Sequence, residues 1–153
     1  AGLDGIDVIE TSLSICDLAN LDGVVALARE RGLGVIVKRP IANAAWKDLA
    51  QQEGTYQNYA RVYSERFQKM ALAPADLGFD GEPADVWPEI ALRFTLSLPG
   101  VSTAIVGTTK TESAKRNLEA AIKGPLPEAV VERIRAAFAG AEAADGETWE
   151  GRQ

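Results

Sequence analysis

Residues 102–117 join an apolar run to a cluster of hydrogen-bond donors, in the order STAIVGTTKTESAKRN. The apolar run ends at Gly107, and hydroxyl and cationic side chains follow it: Thr108, Thr109, Lys110, Thr111, Ser113, Lys115 and Arg116. A helix that starts here presents unpaired backbone N–H groups and a partial positive charge, and both attract an anion. Lys110, Lys115 or Arg116 can add charge-assisted hydrogen bonds. The segment therefore predicts an anion site, most often one for a phosphate.

A simple helix cap is the alternative interpretation of the same segment. Thr109 or Thr111 can cap the helix by itself, with Lys115 and Arg116 merely solvated. Capping threonines are common, so local chemistry alone favours the cap.

Composition limits the chemistry that these residues can carry out. Histidine is absent from the 153 residues, which removes the commonest general base, the Ser-His-Asp and Cys-His arrangements and every histidine metal site. The net charge of −6 argues against nucleic acid and anionic membrane as main partners. Cys16 is the only cysteine, so no internal disulfide can form, and we expect a reducing, cytoplasmic compartment. No apolar run approaches the length of a membrane span.

Three apolar segments rich in Val and Ile predict buried parallel strands at residues 6–15, 34–41 and 101–108. A helix between the first two, capped by Asn20 or Asp22 and ended by Gly32, would complete a βαβ unit. Further helices are predicted over residues 86–98, with Pro88 in the first turn, and over residues 112–122 and 128–139. The opening segment therefore lies where the third strand passes into a helix.

An insertion of about residues 42–85 follows the second strand, at the edge of the sheet where α/β folds place binding loops. Residues 42–54 and 55–71 are predicted to be helical. Packing is the favoured role of Trp46 and of a stripe in the second helix, rather than a ligand site, and the stripe consists of Tyr56, Tyr59, Tyr63, Phe67 and Met70.

Three strands make a narrow sheet whose edges would expose backbone donors and apolar side chains. The chain also begins a few residues before its first predicted strand. We therefore expect residues 1–153 to belong to something larger.

The segment LRFTLSLPGVSTAIVGTTKTESAKRNLEAA, residues 92–121, resembles the aldo-keto reductase family, and the resemblance runs from about Gly2 to the end of the chain. That family forms (β/α)8 barrels and uses NADPH, sometimes NADH, to reduce carbonyls. GVIVKRPI is similar to its seventh strand and IDVIETSLSICD to its sixth. The resemblance implies an α/β fold that is a partial TIM (β/α)8 barrel, the C-terminal half, with three parallel strands (sixth to eighth) and flanking helices. Its C-terminal helix and tail would span residues 126–153, with Trp149 docking the tail on the body.

The same resemblance implies NADP(H) as cofactor and a set of binding residues: Lys38, Gly107, Thr108, Thr109, Lys110, Ser113, Arg116 and Asn117. Gly107 and Thr108 match positions where loop backbone and a hydroxyl approach the phosphate, and Arg116 with Asn117 matches the pair beside the adenine. Ser113 replaces an arginine or glutamine of many members. This extended match favours the cofactor site over the simple cap.

Lys38 and Arg39 end the second strand, where two cations would face the mouth of a barrel. Lys38 replaces an aromatic residue that stacks on the nicotinamide in many members of the family, and an ammonium cannot stack as a ring does. A lysine paired with a carboxylate such as Glu10 is an equally favoured interpretation.

The family's catalytic aspartate, tyrosine, lysine and usual histidine come from the first half of the barrel, and no residue here matches them. We therefore assign no catalytic residue and no metal ligand. The resemblance implies the cofactor-binding half of a reductase of small carbonyls, inactive by itself and completed by the missing N-terminal half. The alternative is a non-enzymatic half-barrel module that associates with a second copy of itself and binds dinucleotide weakly or not at all.

Overall fold

The computed structural model describes residues 5–49 and 56–151 of the chain. Its strands are β1 (Val8–Ser12), β2 (Gly34–Lys38) and β3 (Thr103–Ile105). Its α-helices are α1 (Ala26–Glu30), α2 (Tyr56–Met70), α3 (Pro83–Ser97), α4 (Thr111–Ile122) and α5 (Glu128–Asp145). No helix within these ranges is long and apolar enough to cross a membrane.

The three strands form one parallel sheet in the order β1-β2-β3, as the sequence predicts. Each strand is shorter than predicted. β1 ends at Ser12 because Ser14 and Asp17 then exchange two backbone hydrogen bonds in a turn. β2 ends at Lys38 because Arg39 adopts a φ of 60°, which no strand residue can have. The register sets the carboxyl ends of all three strands side by side.

The two faces of the sheet have different environments. Val35 and Val37 of β2 are fully buried, in the same hydrophobic core as Ile90 and Phe94 of α3. Alternate residues of a strand point to opposite faces. The face opposite Val35 and Val37 carries Val8 on β1 and Ile105 on β3, which are 50% and 52% exposed. Helices therefore cover one face, and the other is open at both of its outer strands.

The connection between β1 and β2 differs in detail from the predicted helix. A π-helical turn, Leu21–Val25, precedes α1, and the side chain of Asn20 makes no capping hydrogen bond. The Asn20 amide instead donates to the Ser12 carbonyl oxygen at 3.2 Å. Gly32, with a φ of 68°, follows α1 as predicted, because glycine adopts the left-handed conformation without steric cost.

Two helices, α3 and α5, are longer than predicted. α3 begins at Pro83, after an extended Glu82, so Pro88 lies inside the helix and the prediction that places it in the first turn is wrong. α5 continues past residue 139 to Asp145, because alanines, the best helix formers, dominate this stretch. It ends at Gly146, which has a φ of 73°. α4 begins within one residue of its predicted start.

The predicted helix over residues 42–54 is wrong in its described part, and residues 50–55 lie outside the described residues. The chain forms a short 3₁₀ turn, Ala42–Ala44, whose three residues have φ values between 47° and 55°. α2 confirms the second predicted helix from Tyr56 to Met70. Tyr63 and Met70 are buried in the core and Phe67 packs against it, which confirms packing as their role. The side chains of Tyr56 and Tyr59 lie outside the described residues.

Trp149 docks the tail on the body of the protein, as predicted. Its side chain is buried, and its ring meets the ring of Phe138 at 90° with centroids 5.1 Å apart. The guanidinium carbon of Arg66 lies 5.2 Å from the centre of the indole, and the Arg66 Nη2 donates a hydrogen bond to the Glu150 carbonyl oxygen at 2.9 Å.

Candidate functional site

An open cleft of about 960 Å³ lies at the carboxyl ends of β2 and β3. Residues that follow β2, from Arg39 to Lys47, form one side of it. The first turns of α3 and the inner side of α4 form the other, and Ile105 and Val106 form its floor. The cleft is thus built by three segments of chain that meet at the same edge of the sheet, the edge at which barrel enzymes place their sites.

Seven of the eight residues that the sequence predicts to bind cofactor line this cleft: Gly107, Thr108, Thr109, Lys110, Ser113, Arg116 and Asn117. Lys38 does not line it. It lies at the end of β2 in register with Ser12 and Ile105, and within the described residues no ion pair joins it to Glu10. A binding role for Lys38 stays a prediction.

A side-chain hydroxyl, that of Thr108, stabilises the turn before α4. The Thr108 Oγ1 accepts a hydrogen bond from the Lys110 backbone N–H at 3.1 Å. Lys110 occupies the position before the first helical residue, and no side chain caps the helix there. The cap by Thr109 or Thr111 is therefore not formed. A Cβ built on Gly107 meets nothing within 4 Å, so the backbone here borders open space.

The cleft carries more positive than negative side chains. Its cations are Arg39, Lys47, Lys110, Arg116 and Lys123, and its carboxylates are Asp85, Glu89 and Glu119. Glu89 binds Arg93 at 2.8 Å and Lys123 at 2.6 Å. Partial burial raises the pKa of Glu89, but the hydrogen bonds from Lys123 and Arg93 outweigh it and leave the pKa below its usual value. Lys47 and Lys110 form no ion pair with other described residues.

Arg116 reaches across the cleft to α3. Its Nη1 lies 3.3 Å from the Asp85 Oδ1, and the two side chains are 58% and 70% exposed. The sequence does not point to Asp85, because no local pattern relates two residues on different helices. The opposed charges are the only available signal, and they become informative only once α3 and α4 are known to pack together.

Arg39 lines the cleft as a cation predicted to face the barrel mouth, and a buried network lies behind it. Its Nη1 donates to the Tyr63 Oη at 3.5 Å, and that hydroxyl donates to the Asp17 carboxylate at 3.3 Å. The Ser12 hydroxyl donates to the same carboxylate at 3.1 Å. Burial is the main cause that raises the pKa of the Tyr63 hydroxyl above its usual value. The network therefore ties the ends of β1 and β2 to α2.

Trp46 packs and also borders the cleft. Its ring stacks on Trp87 with centroids 6.2 Å apart and meets the edge of Phe67 at 6.3 Å. The favoured packing role is confirmed, and the indole is near enough to the cleft to report on it. Within residues 5–49 and 56–151, no group of three or more acidic, histidine or cysteine side chains could hold a metal ion.

Comparison with known proteins agrees with this architecture. The family model described as "Aldo/keto reductase family" matches residues 2–139, and the chain therefore belongs to the aldo/keto reductase family. This chain is similar to the holo and apo structures of aldo-keto reductase AKR11C1 from Bacillus halodurans, with a TM-score of 0.61 and 24% sequence identity to each. Each comparison covers 87% of this chain. No curated protein matches the chain in sequence.

The chain spans less than half of those solved structures, 43% of the holo chain and 44% of the apo chain. Likeness at this identity concerns the fold. It confirms the predicted fold, a part of a (β/α)8 barrel with three parallel strands and flanking helices.

Proposed function

We propose that this chain is the cofactor-binding part of an NADP(H)-dependent aldo-keto reductase and that its cleft takes the adenosine phosphate end of the dinucleotide. The observation that carries the proposal is that seven of the eight residues predicted to bind the cofactor line one cleft at the carboxyl ends of β2 and β3. A nicotinamide cofactor is general in the family, and the phosphorylated form is the part proposed here.

The donors of the cleft fit a phosphate. Thr109 offers a hydroxyl, and the start of α4 offers backbone N–H groups with the positive end of a twelve-residue helix dipole. Lys110 and Lys47 add two ammonium groups that form no ion pair with other described residues. Charged donors make the stronger hydrogen bonds to phosphate, so these two lysines and Arg116, which lines the same cleft, supply most of the attraction for the anion.

Asn117 is placed to bind the base beside the phosphate. It follows Ser113 by four residues on α4, so the two side chains share one face of the helix, and both are half-buried at the cleft. An amide side chain can donate to and accept from a base edge. The arrangement supports a phosphate at the helix start with the adenine about one turn further along.

The nicotinamide cofactor supplies the hydride for carbonyl reduction in a complete reductase. The residues of this chain hold and orient the adenosine end, and none of them is assigned a catalytic role. The reaction, the small carbonyl substrate and the binding of the nicotinamide belong to the whole barrel. Cytoplasmic location is part of the proposal, supported by the single, buried Cys16, whose thiol pKa is raised by burial.

The partner that completes the sheet is the N-terminal part of the barrel. The open face with Val8 and Ile105, and the exposed Leu118 and Ile122 on α4, which are 67% and 84% exposed, support this partner. The same apolar side chains favour a second candidate function, a non-enzymatic half-barrel module that associates with another copy of itself.

Titration of the chain with NADPH tests the cleft, because Trp46 borders it and its fluorescence can report binding. Lys110→Ala should weaken binding by roughly tenfold or more, the usual effect of losing a charged hydrogen-bond partner. Lys115→Ala is the matched control, because Lys115 is an exposed lysine of α4, five residues after Lys110, that does not line the cleft. Equal dissociation constants for the two variants would contradict the proposed function.

A further inference from the structure

Two ion pairs join α3 to α4 beside the cleft. Asp85, in the first turn of α3, pairs with Arg116, and Glu89, one turn later, pairs with Lys123. All four side chains line the cleft. The two ion pairs thus connect the helices at successive turns. The pair of Asp85 with Arg116 lies nearer the proposed phosphate site, because Arg116 is nearer the start of α4 than Lys123 is.

The two ion pairs differ in exposure and in the number of charged partners. The Glu89 carboxylate is 23% exposed and binds a second cation, Arg93, so removing Lys123 from it would leave a largely buried, partly compensated charge. The Asp85 carboxylate is 70% exposed and its ion pair with Arg116 is longer, at 3.3 Å. Exposed pairs of this kind are worth little, so Arg116 can exchange partners at small cost.

We propose that Asp85 is a specificity-determining residue that competes with the ligand's phosphate for Arg116. This inference rests on the proposed function. An incoming phosphate must take Arg116 from Asp85, and the carboxylate that remains nearby repels the phosphate. A ligand without that phosphate meets neither cost. Asp85 therefore lowers the preference of the cleft for a phosphorylated adenosine over an unphosphorylated one.

Calorimetric titration of the 153-residue chain measures this preference with two probes. Adenosine 2′,5′-bisphosphate carries the additional phosphate, and adenosine 5′-monophosphate lacks it. Asp85→Asn should tighten binding of the bisphosphate by roughly three- to tenfold and leave binding of the monophosphate within about twofold. Asp80→Asn is the matched control, because it makes the same charge change at an exposed residue that does not line the cleft.

A double-mutant cycle locates the effect at Arg116. The gain from Asp85→Asn should shrink when Arg116→Ala is already present, because the competition for Arg116 is then gone and only the repulsion by the Asp85 carboxylate remains to be relieved. Circular dichroism and thermal melting of each variant establish that the comparison is made between folded proteins.

The outcomes separate the inference from the proposed function. If Arg116→Ala weakens bisphosphate binding but Asp85→Asn leaves it unchanged, or weakens it, the phosphate site stands and the role of Asp85 is wrong. If Asp85→Asn tightens both probes equally, the effect is general electrostatics and the inference is overturned. If neither the wild type nor Asp85→Asn prefers the bisphosphate to the monophosphate, the proposed phosphate site fails together with the inference.

Discussion

The indole N–H of Trp149 donates a hydrogen bond to the Asp145 carboxylate at 2.9 Å, so the last turn of α5 and the tail that follows it are joined directly. The Trp149 backbone N–H also donates to the Glu142 carboxylate at 2.7 Å. Lys69 of α2 binds Asp145 from the other side. The hydrogen bonds from Lys69 and from Trp149 lower the pKa of Asp145. The tail is therefore fastened to two carboxylates of α5, and Arg66 of α2 also holds it through Glu150 and the Trp149 ring.

Trp149→Ala should destabilise the folded chain by roughly 3 kcal/mol, because it removes a buried aromatic side chain from its contacts with Phe138 and Arg66. Trp149→Phe, which keeps a ring but loses the indole N–H, should cost about 1 kcal/mol. Urea unfolding measures both values. Equal losses for the two variants would show that the hydrogen bond to Asp145, rather than the burial of the ring, fastens the tail.

Glu89 should make stability depend on pH in the acid range. Its pKa in the folded chain lies below the ordinary value of 4.5, so its stabilising contribution is complete above that pH and is lost as the pH falls through the lowered folded value. The difference in unfolding free energy between wild type and Glu89→Gln should therefore shrink as the pH is lowered past about 4.5. Urea unfolding of both proteins at a series of pH values measures this difference, and a difference that stays constant through the acid range would contradict the prediction.

Whether a feature of this protein can be predicted from the sequence depends on how far apart along the chain the residues that determine it lie. The parallel order of β1, β2 and β3 follows from Val- and Ile-rich runs separated by helical segments, so it is predictable. The cleft is predictable because most of its binding residues lie within eleven successive positions, from Gly107 to Asn117. The sequence also places Trp149, since an isolated tryptophan in an acidic tail needs a buried site.

The features that the sequence does not predict correctly depend on tertiary packing. Residues 42–49 have the composition of a helix, but Ala42 and Ala45 are buried in the core, and the chain bends in a left-handed turn to bring them there. Packing overrides propensity in such a segment. The pairing of Arg116 with Asp85 spans 31 positions and depends on the contact of two helices. Lys38 is one residue from Arg39, yet only Arg39 lines the cleft, because the backbone turns at that residue.

Arg116→Ala should weaken binding of NADPH by about tenfold and change binding of NADH much less, because only NADPH carries the additional phosphate. Arg133→Ala provides the control, since Arg133 is an exposed arginine of α5 that does not line the cleft. Fluorescence titration with both cofactors gives the four dissociation constants for each pair of proteins. An equal NADPH dissociation constant in wild type and Arg116→Ala would remove Arg116 from the phosphate site.

The isolated chain should self-associate through its exposed apolar side chains. Ile105 lies on the open face of the sheet, on a strand whose outer edge is unpaired within the described residues, and Leu118 and Ile122 lie one turn apart on α4. Burying such surface is favourable by roughly 25 cal/mol per Å², so a few apolar side chains from each copy can hold two chains together at high concentration. Light scattering should therefore give a mass above 16.3 kDa that rises with protein concentration.

Charged residues placed at these exposed apolar positions should prevent the self-association. Ile122→Lys, combined with Ile105→Lys, introduces two cations that must lose their hydration if the surface is buried, so the double variant should scatter as a monomer. Ala136→Lys adds a cation at an exposed residue of α5 and should leave the association unchanged. A wild-type chain that remains a monomer at high concentration would contradict the prediction. So would a double variant that associates as strongly as the wild type, because association would then use another surface.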